Sequence, residues 1–106
     1  HDAMKAATEH HKRILENEWV RVLETRIRPG ERTEIHSHPW PAVQYVLSFS
    51  DFIRFDAEGK VLVDSRSMAT KPAPGAALWS PPVPRHYIQN VGRTDLLVIA
   101  VEIKPR

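Results

Sequence analysis

The chain has 106 residues, 42% of them hydrophobic, and a net charge of +2 from 15 Lys and Arg against 13 Asp and Glu. This length suits one domain and excludes a dinucleotide-binding half beside a catalytic half. The balanced charge, without a basic cluster, excludes nucleic acid and membrane surfaces as expected partners. Cysteine is absent, which excludes disulfides and cysteine nucleophiles and favours a cytoplasmic protein.

Short runs of β-forming residues, separated by turn residues, predict strands along most of the chain. The nine prolines cannot lie inside helices or central strands, so they divide the chain into short extended pieces. Strands are predicted over residues 12–15, 19–28, 33–38, 43–49, 52–55, 60–63, 77–79, 86–91 and 96–103. Short strands at regular spacing favour an all-β sandwich or barrel.

The N-terminal stretch differs from the rest of the chain. The helix candidate over residues 5–13 has a weak apolar pattern, so it is expected to be irregular or a single turn. We predict a poorly patterned segment over residues 1–11, which begins with residues such as His1 left from cloning, and one β domain over residues 12–106. His10 and His11 fall at the boundary and are expected to face solvent.

His36 and His38 are the first candidates for chemistry. Residues two apart in a strand point to the same side, so two imidazoles would face one point. That arrangement suits a metal ion, which accepts nitrogen donors at about 2.1 Å.

The spacing of Gly30, His36 and His38, a glycine followed after five residues by His-x-His, resembles the first motif of the cupin family. In that family a glutamate ligand follows three or four residues later. Here Ala42 or Val43 stands at that place, and neither side chain can bind a metal.

A second segment strengthens the resemblance. Gly75, Pro81, His86 and Asn90 follow the spacing of the second cupin motif, with Val83 in place of its second glycine. Together the two motifs cover residues 30–90, and the apolar stretch 96–103 is similar to the last strand of a cupin.

The resemblance implies an all-β fold of the cupin type, a double-stranded β-helix or jelly-roll β-barrel, which commonly forms homodimers. It also implies that His36, His38 and His86 hold a divalent metal ion. Imidazole ligands suit several transition metals, so Fe, Zn, Ni, Mn and Cu all remain candidates.

Four further residues are candidates for the site. Gln44 lies two residues beyond Ala42 and would share its inward face, where the amide could orient a bound water or act as a fourth ligand. Trp40, in a proline-flanked loop, and Trp79 are candidates for the wall of a substrate pocket. Arg85, next to the second motif, could hold a carboxylate.

Three functions remain open at this point. The first is a metal-dependent dioxygenase or isomerase that acts on a small anionic or enolisable substrate, since a site without a carboxylate ligand keeps the full charge of its metal. The second is a non-catalytic cupin that binds a sugar or an anion. The third is a degenerate barrel without metal, because one fold serves many functions.

Overall fold

The computed structural model describes residues 2–106, so the expectation for His1 lies outside the described residues. Besides one α-helical turn, α1 (Ala3–Ala6), and one 3-10 turn (Ser65–Ser67), these residues form strands. The strands are β1 (His11–Glu16), β2 (Val20–Ile27), β3 (His36–His38), β4 (Ala42–Ser48), β5 (Phe52–Asp56), β6 (Val61–Asp64), β7 (Ala77–Ser80), β8 (Val83–Asn90) and β9 (Leu96–Ile103).

The strands form two antiparallel sheets. One has the order β1-β2-β9-β4-β7 and the other the order β3-β8-β5-β6. Each of the nine predicted segments overlaps one of these strands, and the last strand begins and ends at the predicted residues. The predicted all-β fold is therefore confirmed, and it takes the form of two sheets that enclose a common interior.

Alternation along the strands decides what lies between the sheets. In β2, Leu23 and Ile27 are fully buried, and in β9 Leu96 and Ala100 are buried. The two strands pair without interruption from Val20–Ile103 to Ile27–Leu96, which keeps their inward faces in register. The core is small because part of the interior is open space.

The motif glycines stand where the backbone needs them. Gly30 and Gly75 have φ angles of +81° and +91°, in the left-handed region that glycine adopts without strain. Gly30 also donates a backbone hydrogen bond of 3.0 Å to Asn90, which ties the turn after β2 to the end of β8. These turns set the entry of the chain into the strands around the interior.

The asparagine of the second motif has a structural role. Asn90 is fully buried and donates hydrogen bonds of 2.8 Å to the carbonyl oxygens of Ile27 and Thr94. Its amide oxygen accepts from Ser50 at 2.7 Å and from the backbone of Gly92 at 2.9 Å. All polar atoms of the Asn90 side chain are thus occupied in holding the turn that leads to β9.

The N-terminal segment is more ordered than its sequence pattern indicates. Asp2 caps α1 by accepting a hydrogen bond of 2.9 Å from Met4, and Ala3 and Ala7 are buried. The expectation that His10 and His11 face solvent is wrong, because both are buried. No helix within residues 2–106 is long and apolar enough to span a membrane.

Candidate metal centre

Four imidazoles lie together between the two sheets. His11 comes from β1 of one sheet, while His36 and His38 from β3 and His86 from β8 belong to the other. The centroids of the neighbouring rings are 4.5 to 5.5 Å apart. The ligand atoms of His11, His36 and His38 all lie within 4.8 Å of one another, so this group could hold a metal ion.

Strand pairing explains the cluster. His36 stands directly opposite His86 across the β3–β8 pair, and His38 lies opposite Val83. Opposite residues of an antiparallel pair point to the same face, so these imidazoles enter the same space. His11 approaches from the other sheet, where it pairs with Thr25 at the start of β1.

Hydrogen bonds fix the tautomer of three of the rings. The Nδ1 atom lies 2.9 Å from a backbone carbonyl oxygen in His11, and 2.7 Å from one in both His36 and His86. A carbonyl oxygen only accepts, so Nδ1 carries the proton and Nε2 keeps its lone pair. Metal-bound histidines characteristically hold the second ring nitrogen in this way.

One of these lone pairs has no partner. The Nε2 atom of His36 is buried, and no hydrogen bond within residues 2–106 reaches it. Buried polar atoms are normally satisfied, and an unsatisfied one requires a physical reason. A cation bound among the rings would supply the missing partner, so the donor set present fits a metal ion.

Burial also keeps the rings in the form that binds metals. It lowers the pKa of His11 and of His86 to about 3 and that of His36 to about 4. The neighbouring imidazoles contribute to these low pKa values, because a second positive charge nearby is unfavourable. Three of the four rings therefore stay neutral in mildly acidic solution, as metal binding requires.

A carboxylate supports the fourth ring. Glu102 is 1% exposed, and its Oε2 atom lies 3.5 Å from Nδ1 of His38. Burial alone would raise the pKa of Glu102, but the hydrogen bond from Arg21 and the nearby His38 ring outweigh it and leave the pKa lowered, although Oε2 itself has no hydrogen-bond partner within residues 2–106. Arg21 donates to Glu102 at 2.6 Å and to Asp2 at 3.0 Å. Glu102 pairs with Ala42, the place where the cupin resemblance expects a glutamate.

The imidazoles line one part of a cavity of about 320 Å³. Most of its wall is apolar, and it opens to solvent where the wall residues Met68, Leu78, Trp79 and Pro81 are exposed. Within residues 2–106 no carboxylate contributes to the wall. This space is sufficient for a small organic molecule.

The other residues singled out by the sequence fall into two groups. Gln44 and Trp79 line the cavity. Trp40 and Arg85 are not part of its wall as the described residues define it. The ring of Trp40 instead packs against the guanidinium of Arg21, whose Cζ atom lies 4.8 Å from the ring centroid.

Sequence reasoning missed three residues of this region, although two left a signal. Glu102 is the one acidic residue in an apolar strand, and its parity with Leu96 and Ala100 places it inside. Arg54 shares the parity of Phe52 in a strand of β-forming residues, and both line the cavity. His11 left no signal in the sequence, because β1 shows no alternation: His11 is buried and the other five residues of the strand are exposed.

Comparison with known proteins identifies the fold. No family model and no curated protein matches the chain. Among solved structures, a cupin domain from Bordetella pertussis Tohama I is similar, with a TM-score of 0.72 and 23% identity over 90% of this chain and 92% of that one. An RmlC-like cupin from Methanocaldococcus jannaschii, with a double-stranded β-helix fold, gives a TM-score of 0.61 and 13% identity over 88% and 77% of the two chains.

A third similar structure is an uncharacterised protein with a double-stranded β-helix domain from Klebsiella pneumoniae, with a TM-score of 0.59 and 21% identity over 91% of this chain and 77% of that one. The chain therefore has the double-stranded β-helix fold of the cupins, as the sequence motifs predicted. More particularly, it has the fold of a small single-domain cupin, with a histidine group inside that could hold a metal.

Proposed function

We propose that this chain is a metal-dependent cupin enzyme that acts on a small anionic or enolisable substrate. Its divalent ion, which we take from Fe, Zn, Ni, Mn and Cu, would be held by His36, His38 and His86, with His11 as a fourth ligand in place of the family's glutamate. The observation that supports this most directly is the buried, partnerless Nε2 atom of His36 within a group of imidazoles. Such an ion supplies Lewis acidity, which polarises a substrate oxygen.

The protein's own part is to hold the ligands in position. Backbone carbonyls orient three of the rings, and Glu102 orients His38. Ligands fixed in this way pay little ordering cost when an ion binds. Gln44 lines the same cavity, where its amide could orient the substrate or a water molecule.

The charge of the site supports the choice of substrate. The candidate ligands are imidazoles rather than carboxylates, so a divalent ion would keep its double positive charge, and no carboxylate lines the described cavity wall. An enolate or a carboxylate would offset that charge in a region of low dielectric constant. Both a dioxygenase and an isomerase begin from such a bound anion.

Metal analysis of untagged protein tests the site. We expect about one transition-metal ion per chain in the wild type, loss of the ion in His36→Ala and His86→Ala, and about 10- to 100-fold weaker binding in His11→Ala. His10→Ala is the matched control, because His10 is also buried but lies 3.8 Å from Glu31 rather than in the histidine cluster. Metal-free protein from several media, or full occupancy in His86→Ala, would contradict the proposal.

Activity is tested separately on the loaded protein. Oxygen uptake with small diketones and 2-oxo acids detects a dioxygenase, and exchange of their acidic C–H protons for deuterium detects an isomerase. Tight metal binding with neither reaction would favour the second candidate, a cupin that binds a small anion without converting it.

We also propose that the chain forms a homodimer, as the cupin resemblance implies. The supporting observation is the outer face of β4, where Val43, Tyr45 and Leu47 are all exposed apolar side chains. A row of this kind on a strand that is paired on both sides is typical of a surface covered by another chain. Light scattering on the wild type and on Val43→Lys measures whether the mass falls from dimer to monomer.

A further inference from the structure

Arg54 is a cationic side chain at the cavity wall that no ion pair among residues 2–106 neutralises. It lies on β5 and lines the cavity together with Phe52. The next residue, Phe55, pairs with Tyr87 of β8 and stacks on its ring with the centroids 4.7 Å apart, while Arg54 pairs with Ile88, another residue of the cavity wall. The Nε atom of Arg54 is buried without a hydrogen-bond partner, and no ion pair within residues 2–106 includes this arginine.

A half-buried guanidinium whose Nε atom is fully enclosed and that has no counter-charge among the described residues is unusual. Buried charges in proteins are normally paired, since an unpaired one loses its hydration without compensation. Burial is what lowers the pKa of Arg54, yet an arginine side chain stays protonated in proteins. Its charge is also among the causes that lower the pKa of His36 and His86, so it lies within electrostatic reach of the histidine cluster.

The other residues of the cavity wall indicate what kind of molecule Arg54 binds. No acidic side chain and no second lysine or arginine lines the cavity within the described residues. Phosphate groups usually require several cationic or backbone N–H donors, whereas a carboxylate is matched by the fork of one guanidinium. Apolar residues such as Phe49 and Val98 surround the remaining space, which suits the carbon skeleton of a small molecule.

We propose that Arg54 binds the carboxylate of a small organic acid whose skeleton occupies the apolar part of the cavity and whose other polar end faces the histidines. The inference deepens the proposed function, on which it rests for the role of the histidines, by naming the substrate class. It assigns the carboxylate contact to Arg54 and not to Arg85, the arginine that the sequence offered as a candidate. Arg54 thus acts as a binding residue that orients the acid toward the candidate metal centre.

Calorimetric titration with benzoate and its neutral counterpart benzamide tests this inference. We expect the wild type to bind benzoate at least about 10-fold more tightly than benzamide, because a charge-assisted hydrogen bond to a buried group is lost in the amide. Arg54→Gln should weaken benzoate binding by about 10- to 100-fold and leave benzamide binding unchanged. Arg93→Gln is the control, since it removes the same charge from an exposed turn.

The titrations are made on metal-free and on metal-loaded protein, and metal content is measured for each variant. Loss of benzoate selectivity with full metal content in Arg54→Gln supports the inference, and the metal-free protein should retain a preference for benzoate that depends on Arg54. Absence of metal in all samples, with this preference intact, would defeat the proposed metal site but not the role of Arg54. Arg54→Lys, which keeps the charge but not the fork, should bind benzoate with intermediate affinity.

Equal affinity of the wild type for benzoate and benzamide overturns the inference. An equal loss of benzoate affinity in Arg54→Gln and Arg93→Gln overturns it as well, because the effect would then arise from the overall charge. Thermal melting of each variant shows that the comparison is made between folded proteins.

Discussion

The two arginines in the interior of this protein have opposite surroundings. Arg21 donates to Glu102 at 2.6 Å and to Asp2 at 3.0 Å, and although burial lowers its pKa, these carboxylates outweigh burial and raise it. Arg54 has no such partner among residues 2–106, and burial leaves its pKa lowered. The carboxylates of the fold therefore neutralise Arg21, whereas the positive charge of Arg54 stays uncompensated at the wall of the cavity.

This difference indicates a structural role for Arg21 and a binding role for Arg54. The ion pairs of Arg21 with Asp2 and Glu102 connect the N-terminal residues, β2 and β9. Glu102 also contacts the ring of His38. The cavity instead contains imidazoles and the unpaired guanidinium of Arg54. An unpaired charge away from water lowers the stability of the folded protein until a ligand binds. The comparison predicts that removing a charged side chain destabilises the ion-paired region and stabilises the cavity, whereas acid destabilises the protein by charging the cavity.

The largest effect should come from acid, which charges the cavity. Unfolded histidine has a pKa near 6.5, whereas that of His36 is about 4 and those of His11 and His86 are about 3. Below pH 6.5 the unfolded chain therefore binds more protons than the folded one, so stability falls with pH until the folded pKa values are reached. We expect each of these histidines to reduce the free energy of unfolding by about 2 kcal/mol at pH 5.

Urea unfolding of the metal-free protein at pH 7, 6 and 5 measures this loss. His11→Phe removes one titrating group and should flatten the pH dependence, with His10→Phe as the neighbouring control. A free energy of unfolding that does not change between pH 7 and 5 would show that the rings are accessible to protons in the folded state.

A smaller loss of stability should follow when Arg21 loses one of its two carboxylate partners. Glu102→Ala leaves Arg21 with one carboxylate instead of two and removes the support of His38. We expect a loss of about 3 kcal/mol in the free energy of unfolding, because breaking a buried ion pair strands a charge. Metal affinity should fall by about 10- to 100-fold.

Denaturant melts and metal titrations of the same sample check both effects. Glu16→Ala is the matched control, since Glu16 pairs with Arg13 and Lys104 at the surface and should contribute little. If both substitutions have the same effect, Glu102 is only another surface-like ion pair.

The smallest effect has the opposite sign. Arg54→Met replaces the unpaired cation with an apolar side chain of similar length, so we expect a gain of about 1 kcal/mol in the free energy of unfolding. Thermal unfolding at neutral pH measures it, with Arg93→Met as the exposed control. A loss of stability would mean that Arg54 already has a partner in the folded protein, and the contrast between the two arginines would disappear.

The sequence predicted the strands well because proline, glycine and alternation are local signals. It also identified the motif histidines, since a His-x-His pair needs only strand geometry to share a face. The parity of Gln44 relative to Ala42 was predicted in the same way, and both point inward. These predictions depend on a few neighbouring residues, which is why one sequence was enough.

Contacts between distant segments could not be predicted in this way. His11 reaches the cluster only because β1 joins the sheet opposite β3, and nothing in the residues around it indicates that pairing. Trp40 was a candidate for the pocket on the basis of its neighbours, but it packs on Arg21, 19 positions earlier in the chain. Which arginine meets the cavity likewise depends on the tertiary fold: Arg54 lines it, while Arg85 does not.

The origin of the imidazoles in both sheets has a mechanical consequence. This chain has no cysteine and therefore no covalent bridge between its layers. An ion bound to both His11 and His36 would link β1 to the opposite sheet, as a disulfide does in a secreted protein. Occupancy of the interior and resistance of the N-terminal end to proteases should then rise and fall together.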